Sequence, residues 1–213
     1  MLINGGSASS VAATGYDGND TMTGSAGNDY YFGHAGDDII KTLAGDDVLI
    51  GGTGNDTLEG GDGSDIINGD AGNDTIDGGG GNDTINAGDG DDVVIYKGEG
   101  NDTVTFGAGN DTLKVSNITG WSEYRDGDDL IIYAANGTNF IKVVGAYSTA
   151  NRLENIEYTD SSVVRLVSVN SLVPSSGIHF FAGTSGDNVL TRHLRDSVPD
   201  LFQILLNSFK SSF

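Results

Sequence analysis

The sequence predicts an all-β fold, a parallel β-roll in which a flattened coil of chain forms two stacked sheets. A nine-residue unit with the pattern G-G-x-G-x-D-x-U-x, where U is a large apolar residue, recurs eleven times between Gly15 and Lys114. Glycine makes up 34 of the 213 residues, about twice its usual share. Only Tyr96, inserted before the tenth copy, breaks the phase. This strict period is typical of a repeat architecture, not of a flexible tract.

Each unit predicts one turn and one short strand. The last three places, as in Thr57-Leu58-Glu59, alternate outward, inward and outward. The first six places, as in Gly51 to Asp56, predict a turn, because glycine permits positive φ and Asn or Asp at the fifth place suits the same conformations. Two units make one coil of 18 residues, and stacked coils bury the eighth-place side chains between two parallel sheets. The eighth-place residues are Met22, Tyr31, Ile40, Leu49, Leu58, Ile67, Ile76, Ile85, Val94, Val104 and Leu113.

Stacking brings the turns of odd-numbered repeats together on one edge (the odd edge) and those of even-numbered repeats on the other (the even edge). The sixth place is always aspartate, so each edge carries a column of carboxylates. The odd column is Asp20, Asp38, Asp56, Asp74, Asp92 and Asp111, and the even column is Asp29, Asp47, Asp65, Asp83 and Asp102. Carboxylates one strand spacing apart, ~4.8 Å, repel one another strongly unless cations lie between them.

Calcium is the cation that this arrangement favours. It takes 6–8 oxygen ligands and accepts backbone carbonyls beside carboxylates, whereas Mg²⁺ demands octahedral geometry and keeps its waters. Transition metals prefer nitrogen or sulfur, and the chain has no cysteine and three histidines. The alternative is a glycine-rich structural repeat that binds no metal.

The repeats resemble those of the RTX (repeats-in-toxin) family, whose parallel β-rolls are calcium-stacked, right-handed solenoids. The resemblance implies that each ion lies between two successive turns on one edge, held by the sixth-place aspartates of both and by carbonyls of the first four places. Eleven turns leave five gaps on one edge and four on the other, hence at most nine ions. Turn geometry is less assured where copies begin with Thr42, Lys97 or Phe106. The glycines assigned to these sites are Gly18, Gly27, Gly36, Gly45, Gly54, Gly63, Gly72, Gly81, Gly90, Gly100 and Gly109 at the fourth place, and Gly52, Gly61 and Gly79 at the second.

The chain divides into four predicted segments: a lead-in (1–14), the repeats (15–114), a β-rich flank (115–170) and a C-terminal tail (171–213). In the flank, Asp129–Ala134 and Asn139–Val144 predict a hairpin, and Leu153–Tyr158 and Val163–Val167 predict two further strands. The flank also resembles the domain beside RTX repeats. We expect it to cap the open end of the stack, because solenoids need capped ends, and the resemblance implies that it nucleates folding.

In the tail, Gly183–Thr191 resembles one degenerate repeat. Residues 197–209 predict a short helix with an apolar face of Val198, Leu201, Phe202, Leu205 and Phe209. Because type I secretion substrates of this family carry an uncleaved C-terminal signal, the resemblance implies a secretion signal here. The alternatives are a helix that packs on the flank and a truncated or frameshifted end.

Composition narrows the partners and the location. The net charge of −21 disfavours binding to nucleic acid or anionic membranes. There is no cysteine, no apolar run near ~18 residues, and no basic region or apolar core of a signal peptide at the N-terminus. The resemblance therefore implies a bacterial protein secreted through a type I apparatus without an N-terminal signal peptide.

Three hypotheses for function follow, and none of them places an enzyme in these residues. No H-E-x-x-H, G-x-S-x-G or P-loop lysine motif is present. The first hypothesis is a calcium-responsive secreted module. The second is a calcium-stapled adhesin or surface protein with a cell-surface or glycan ligand. The third is the C-terminal part of a larger toxin, protease or lipase.

Overall fold

The structure, a computed structural model, describes residues 2–4, 10–116, 122–134, 137–148, 152–160, 163–168 and 178–179. These residues form strands, turns and bends. Within them, no helix is long and apolar enough to cross a membrane. The predicted tail helix and the degenerate repeat at Gly183–Thr191 lie outside the described residues.

The described strands are numbered in chain order. They are β1 (Leu2–Asn4), β2 (Ala12–Thr14), β3 (Thr21–Thr23), β4 (Tyr30–Ala35), β5 (Ile39–Lys41), β6 (Val48–Thr53), β7 (Thr57–Asp62), β8 (Ile66–Ala71), β9 (Thr75–Gly80), β10 (Thr84–Asn86), β11 (Val93–Tyr96), β12 (Asn101–Thr105), β13 (Thr112–Ser116), β14 (Ser122–Asp126), β15 (Asp129–Tyr133), β16 (Phe140–Val144), β17 (Asn155–Asp160), β18 (Val163–Ser168) and β19 (Ile178–His179).

These strands form two sheets, as the alternation of repeats predicts. The first sheet has the order β1-β3-β5-β7-β9-β11-β13-β17-β18, and the second has β19-β14-β15-β16-β12-β10-β8-β6-β4-β2. Strands from successive coils pair in parallel, for example Leu58 with Ile76. The all-β parallel solenoid of about six turns is thereby confirmed. The lead-in also contributes, because β1 and β2 add the first strand of each sheet.

The register shows how the chain absorbs Tyr96. Most coils pair residues 18 apart, as Ile40 does with Leu58. Across the insertion the offset is 19, as for Val94 with Leu113. Tyr96 extends β11 by one residue and is buried, so the phase slip leaves the flanking repeats in register.

The core lies between the sheets and consists of the eighth-place side chains. All eleven are at most 2% exposed, which confirms the predicted inward position. The same apolar cluster continues into the flank through Leu130, Ile132, Ile141 and Ile156. A single repeat buries only one such side chain, so stability accumulates along the stack.

In several repeats the turns are shorter than predicted, whereas β3, β5 and β10 keep the predicted three residues. Several strands, such as β6 and β7, run six residues and include the first three places of the next repeat. The reason is that backbone at these places also pairs between coils, as Gly61 does with Gly79. The tight reversal is therefore confined to the fourth to sixth places.

The flank extends both sheets. β16 pairs in parallel with β12, and β15 and β14 follow it in antiparallel order. β17 pairs in parallel with β13, and β18 lies antiparallel beyond it. The predicted pairing of the strands around Gly137 is confirmed, while a separate domain function for residues 115–170 stays a prediction.

Candidate metal centre

Hydrogen bonds join the sixth-place aspartates of each edge into a column. The backbone amide of each aspartate donates to Oδ1 of the aspartate one coil further along, as Asp38 does to Asp56 at 2.7 Å and Asp74 to Asp92 at 2.9 Å. The odd column runs unbroken from Asp20 to Asp111. The even column runs from Asp29 to Asp102. The two predicted columns are therefore present in the structure.

The second carboxylate oxygen has no such partner along most of each column. Eight aspartate Oδ2 atoms are buried and accept no hydrogen bond: those of Asp38, Asp47, Asp56, Asp65, Asp74, Asp83, Asp92 and Asp111. At the N-terminal end the situation differs, since Asp20 Oδ2 accepts from the amide of Tyr16 at 2.7 Å and Asp29 Oδ2 from that of Ser25 at 2.6 Å. A buried carboxylate with an unsatisfied oxygen is costly unless a cation compensates it.

The buried environment raises the pKa of these carboxyls. Burial, the largest cause, raises the pKa of Asp56 to about 6 and those of Asp65, Asp74, Asp102 and Asp111 to about 7. Repulsion from neighbouring aspartates raises these values further, while the inter-coil amide hydrogen bonds lower them. A divalent cation would reverse the balance, because an adjacent positive charge favours the ionised form.

Where the first place is glycine, the missing Cβ lets a sixth-place Oδ2 and a carbonyl of the next coil approach closely. A Cβ atom built on Gly33 would lie within 3.0 Å of both Asp38 Oδ2 and the carbonyl oxygen of Gly51, one coil further along. Equivalent points beside Gly15, Gly24, Gly51, Gly60 and Gly69 are flanked by the same pair of oxygens. Glycine is required there by space, since the backbone φ of Gly33 lies outside the left-handed region. A carboxylate and a carbonyl that face one space suit calcium.

Second- and fourth-place carbonyls point along the stack towards the next coil. A Cβ on Gly52 would meet the carbonyl oxygen of His34, and one on Gly54 would meet that of Gly36, both within 3.0 Å. Both glycines have positive φ, 115° and 127°. Gly27 alone among the fourth-place glycines does not adopt positive φ.

Fifth-place side chains form an outer ladder that runs in the opposite sense. Asn55 Oδ1 accepts from the amide of Asn73, and Asn73 Oδ1 accepts from that of Asp91, each at 2.8 Å. These bonds lock the turns of one edge against each other at the solvent side. They account for Asn or Asp at this place more directly than turn conformation alone.

The donor set of these sites is dominated by backbone oxygen. Within the described part of the chain, no three His, Asp or Glu side chains converge on one point. The sixth-place aspartates and the second- and fourth-place glycines do come together at each gap, in the order that the sequence predicts. Their role as ligands, including a shared ion between two aspartates, stays a prediction. The first-place glycines were predicted only through their carbonyls, and the close approach that they permit was missed, although their near-constant spacing is a signal that could have found it.

Each column ends on a group outside the repeats. Asp29 Oδ1 accepts from the amide of Val11 at 2.5 Å. At the C-terminal end of the odd column, the amide of Asp111 donates to Glu154 Oε2 at 3.0 Å, and Arg152 Nε donates to Glu154 Oε1 at 3.2 Å. Glu154 thus takes the place of a twelfth aspartate in the odd column. It lies 43 residues after Asp111, so the nine-residue period gives no signal of it.

We expect Glu154→Ala to destabilise the calcium-loaded chain by about 1–3 kcal/mol, because the buried amide of Asp111 loses its acceptor. Glu157→Ala is the matched control, since Glu157 makes a weak 4.0 Å ion pair with Lys114 at the surface and is expected to cost under about 0.5 kcal/mol. Urea denaturation in saturating calcium measures both. Equal losses for the two variants would contradict the assignment of Glu154 as the end of the column.

Two edges of buried carboxylates, each beside backbone carbonyls of the next coil, fit the class of metal-binding β-solenoids. Residues 13–40, 41–76, 59–94 and 94–113 match the RTX calcium-binding nonapeptide repeat. These residues are RTX calcium-binding nonapeptide repeats, and RTX repeats bind calcium.

Two further comparisons give less information about this chain. No curated protein sequence matches the chain significantly. Among solved structures, the extracellular lipase LipA from Serratia marcescens is similar, with 20% sequence identity and a TM-score of 0.30 over 63% of this chain. The chain spans 38% of the length of that lipase. At this identity and TM-score, the likeness supports no conclusion about function.

Proposed function

We propose that this chain is the calcium-dependent folding module of a secreted protein, and that it does not itself catalyse a reaction. The observation that carries the proposal is the set of eight buried Oδ2 atoms without a hydrogen-bond partner. These carboxylates are satisfied by one another's amides on one side only. Calcium, when bound, would supply the missing positive charge on the other side.

Electrostatics make the metal-free fold unfavourable at neutral pH. Two carboxylates ~4.8 Å apart repel by roughly 3 kcal/mol at an effective dielectric constant of ~20. The columns repeat this contact along both edges, in a chain with a net charge of −21. We infer that calcium binding and formation of the roll are one event, as for other domains whose metal sites exist only in the folded state.

If folding is coupled to calcium in this way, the chain folds outside the cell. Cytosolic calcium is too low to fill sites of the affinity typical for extracellular modules, with Kd of ~10⁻⁴–10⁻³ M. An unfolded chain can pass a narrow export channel, which fits the expected type I secretion apparatus. Outside, calcium would fill up to nine gaps and fold the chain.

The experiment is far-UV circular dichroism of the full chain in chelator, followed by titration with calcium and, separately, with magnesium. We expect little β-structure in chelator and a cooperative gain at submillimolar to millimolar calcium, with a weaker response to magnesium. Limited proteolysis should show residues 10–116 protected only with calcium. A chain that is already β-rich in chelator and unchanged by calcium would contradict the proposal.

A further inference from the structure

Thr42 occupies a first place where the neighbouring repeats on both edges carry glycine. It opens the fourth repeat, on the even edge, and its side chain is fully buried. The corresponding residues nearest to it are Gly24 and Gly60 on the same edge and Gly33 and Gly51 on the other. At each of these four glycines, the point where a Cβ would lie is between a sixth-place Oδ2 and a carbonyl oxygen of the next coil.

The Thr42 side chain uses this space to link two coils directly. Its hydroxyl Oγ1 donates to the carbonyl oxygen of Gly60 at 2.6 Å, and both atoms are buried. Gly60 is the first-place residue of the next even-edge turn, so its carbonyl corresponds to that of Gly51 beside Gly33. The carbonyl that lies beside a first-place glycine in the sister gap therefore accepts from a protein hydroxyl here.

The gap on the other side of the fourth repeat has glycine, Gly24, at its first place. A Cβ on Gly24 would lie within 3.0 Å of Asp29 Oδ2 and of the Thr42 carbonyl oxygen, as at Gly33, although Asp29 Oδ2 also accepts from the amide of Ser25 at 2.6 Å. Asp47, whose Oδ2 is buried and unpartnered, borders both gaps. Its Oδ1 accepts from the amide of Asp29 at 2.7 Å, so Asp47 can share an ion with Asp29 although the gap towards Asp65 is filled.

We propose that the Thr42 side chain takes the place of the calcium ion between the turns of the fourth and sixth repeats. The inference rests on the proposed function, because it concerns the distribution of the ions. The five even-edge turns (repeats 2, 4, 6, 8 and 10) leave four gaps, and filling one leaves three ions on this edge. With five gaps on the odd edge, the chain binds at most eight ions instead of nine.

This arrangement gives the even edge one inter-coil link that needs no metal. The hydrogen bond between Thr42 and Gly60 forms with the coils themselves and is independent of the calcium concentration. The array is therefore divided: the ion between repeats 2 and 4 has no direct neighbour on its edge towards the flank. The even edge is thus interrupted at the fourth repeat, whereas the odd edge carries glycine at the first place of every repeat up to the seventh.

The test counts bound ions per folded chain by native mass spectrometry in calcium, for the full natural chain and three variants. Thr42→Gly reopens the gap and is expected to bind one more ion than the natural chain. Gly33→Thr places the same side chain between Asp38 Oδ2 and the Gly51 carbonyl and is expected to bind one fewer. Thr42→Val keeps the volume without the hydroxyl, so its ion count should stay unchanged while its thermal midpoint falls.

An unchanged count for Thr42→Gly would overturn the inference, and so would the loss of an ion in Thr42→Val, which would make the hydroxyl a ligand. Circular dichroism in saturating calcium checks that each variant folds. If Thr42→Gly does not fold, the ion count of Gly33→Thr tests the inference instead. These outcomes are distinct from failure of the proposed function, in which the natural chain itself would bind no calcium and show no calcium-dependent β-structure.

Discussion

Asp74→Asn raises the calcium concentration at the folding midpoint by about tenfold or more. Asp74 lies in the middle of the odd column, where its Oδ1 accepts from the amide of Asp56 at 2.8 Å and its own amide donates to Asp92 at 2.9 Å. Asparagine keeps an oxygen that can accept the first of these bonds but removes the charge. A charge-assisted interaction is worth about 1.5–3 kcal/mol, and 1.4 kcal/mol corresponds to a factor of ten.

The matched control for this substitution is Asp62→Asn. It makes the same change of charge inside the repeats, but at an exposed third-place side chain. We expect it to shift the midpoint by less than about twofold, because exposed charges are screened by solvent and salt. Calcium titrations followed by circular dichroism measure both. Equal shifts would mean that net charge, and not the column, governs the response to calcium.

Acidification in chelator produces β-structure between about pH 7 and pH 4. The folded pKa values of Asp65, Asp74 and Asp111 lie near 7, above the ordinary value of 3.8, because burial disfavours the charge. The folded state therefore binds more protons than the unfolded chain in this interval, so the stability of the metal-free fold falls as pH rises through it. Protonation replaces calcium as the means of neutralising the columns.

With calcium bound, the same acidification has the opposite effect, since protons compete with the ion for the carboxylates. The apparent calcium affinity should fall as the pH is lowered. Asp65→Asn, which has one fewer carboxyl in the even column, should fold in chelator at a higher pH than Asp62→Asn, which has the same net charge. Loss of β-structure on mild acidification in chelator would contradict the account of buried, repelling carboxylates.

Periodicity predicts the parts of this structure that repeat. The burial of Ile40, Leu58 and Ile76 follows from their constant place in the unit, and the columns follow from a coil of two units. The insertion of Tyr96 predicts a slip of one residue, and the structure shows it as a change from 18 to 19 in the pairing offset. These features depend only on local pattern, which a single sequence contains.

The ends and exceptions could not be predicted in the same way. Glu154 substitutes for a repeat aspartate through a contact between distant parts of the chain, and no local pattern marks it. β1 and β2 pair with repeat strands although their own sequence lacks the repeat. Thr42 looks like a mere deviation in the sequence, whereas its hydrogen bond to Gly60 shows what the deviation does.

The central claim is that calcium ions lie between successive turns on both edges and neutralise the buried aspartates. Anomalous diffraction from crystals of the full chain grown in calcium tests it most directly. We predict two rows of anomalous peaks, one on each edge, each peak within ligand distance of a sixth-place Oδ2 such as that of Asp56 and of a first-place carbonyl such as that of Gly69. An ordered β-roll without peaks at these positions would contradict the account.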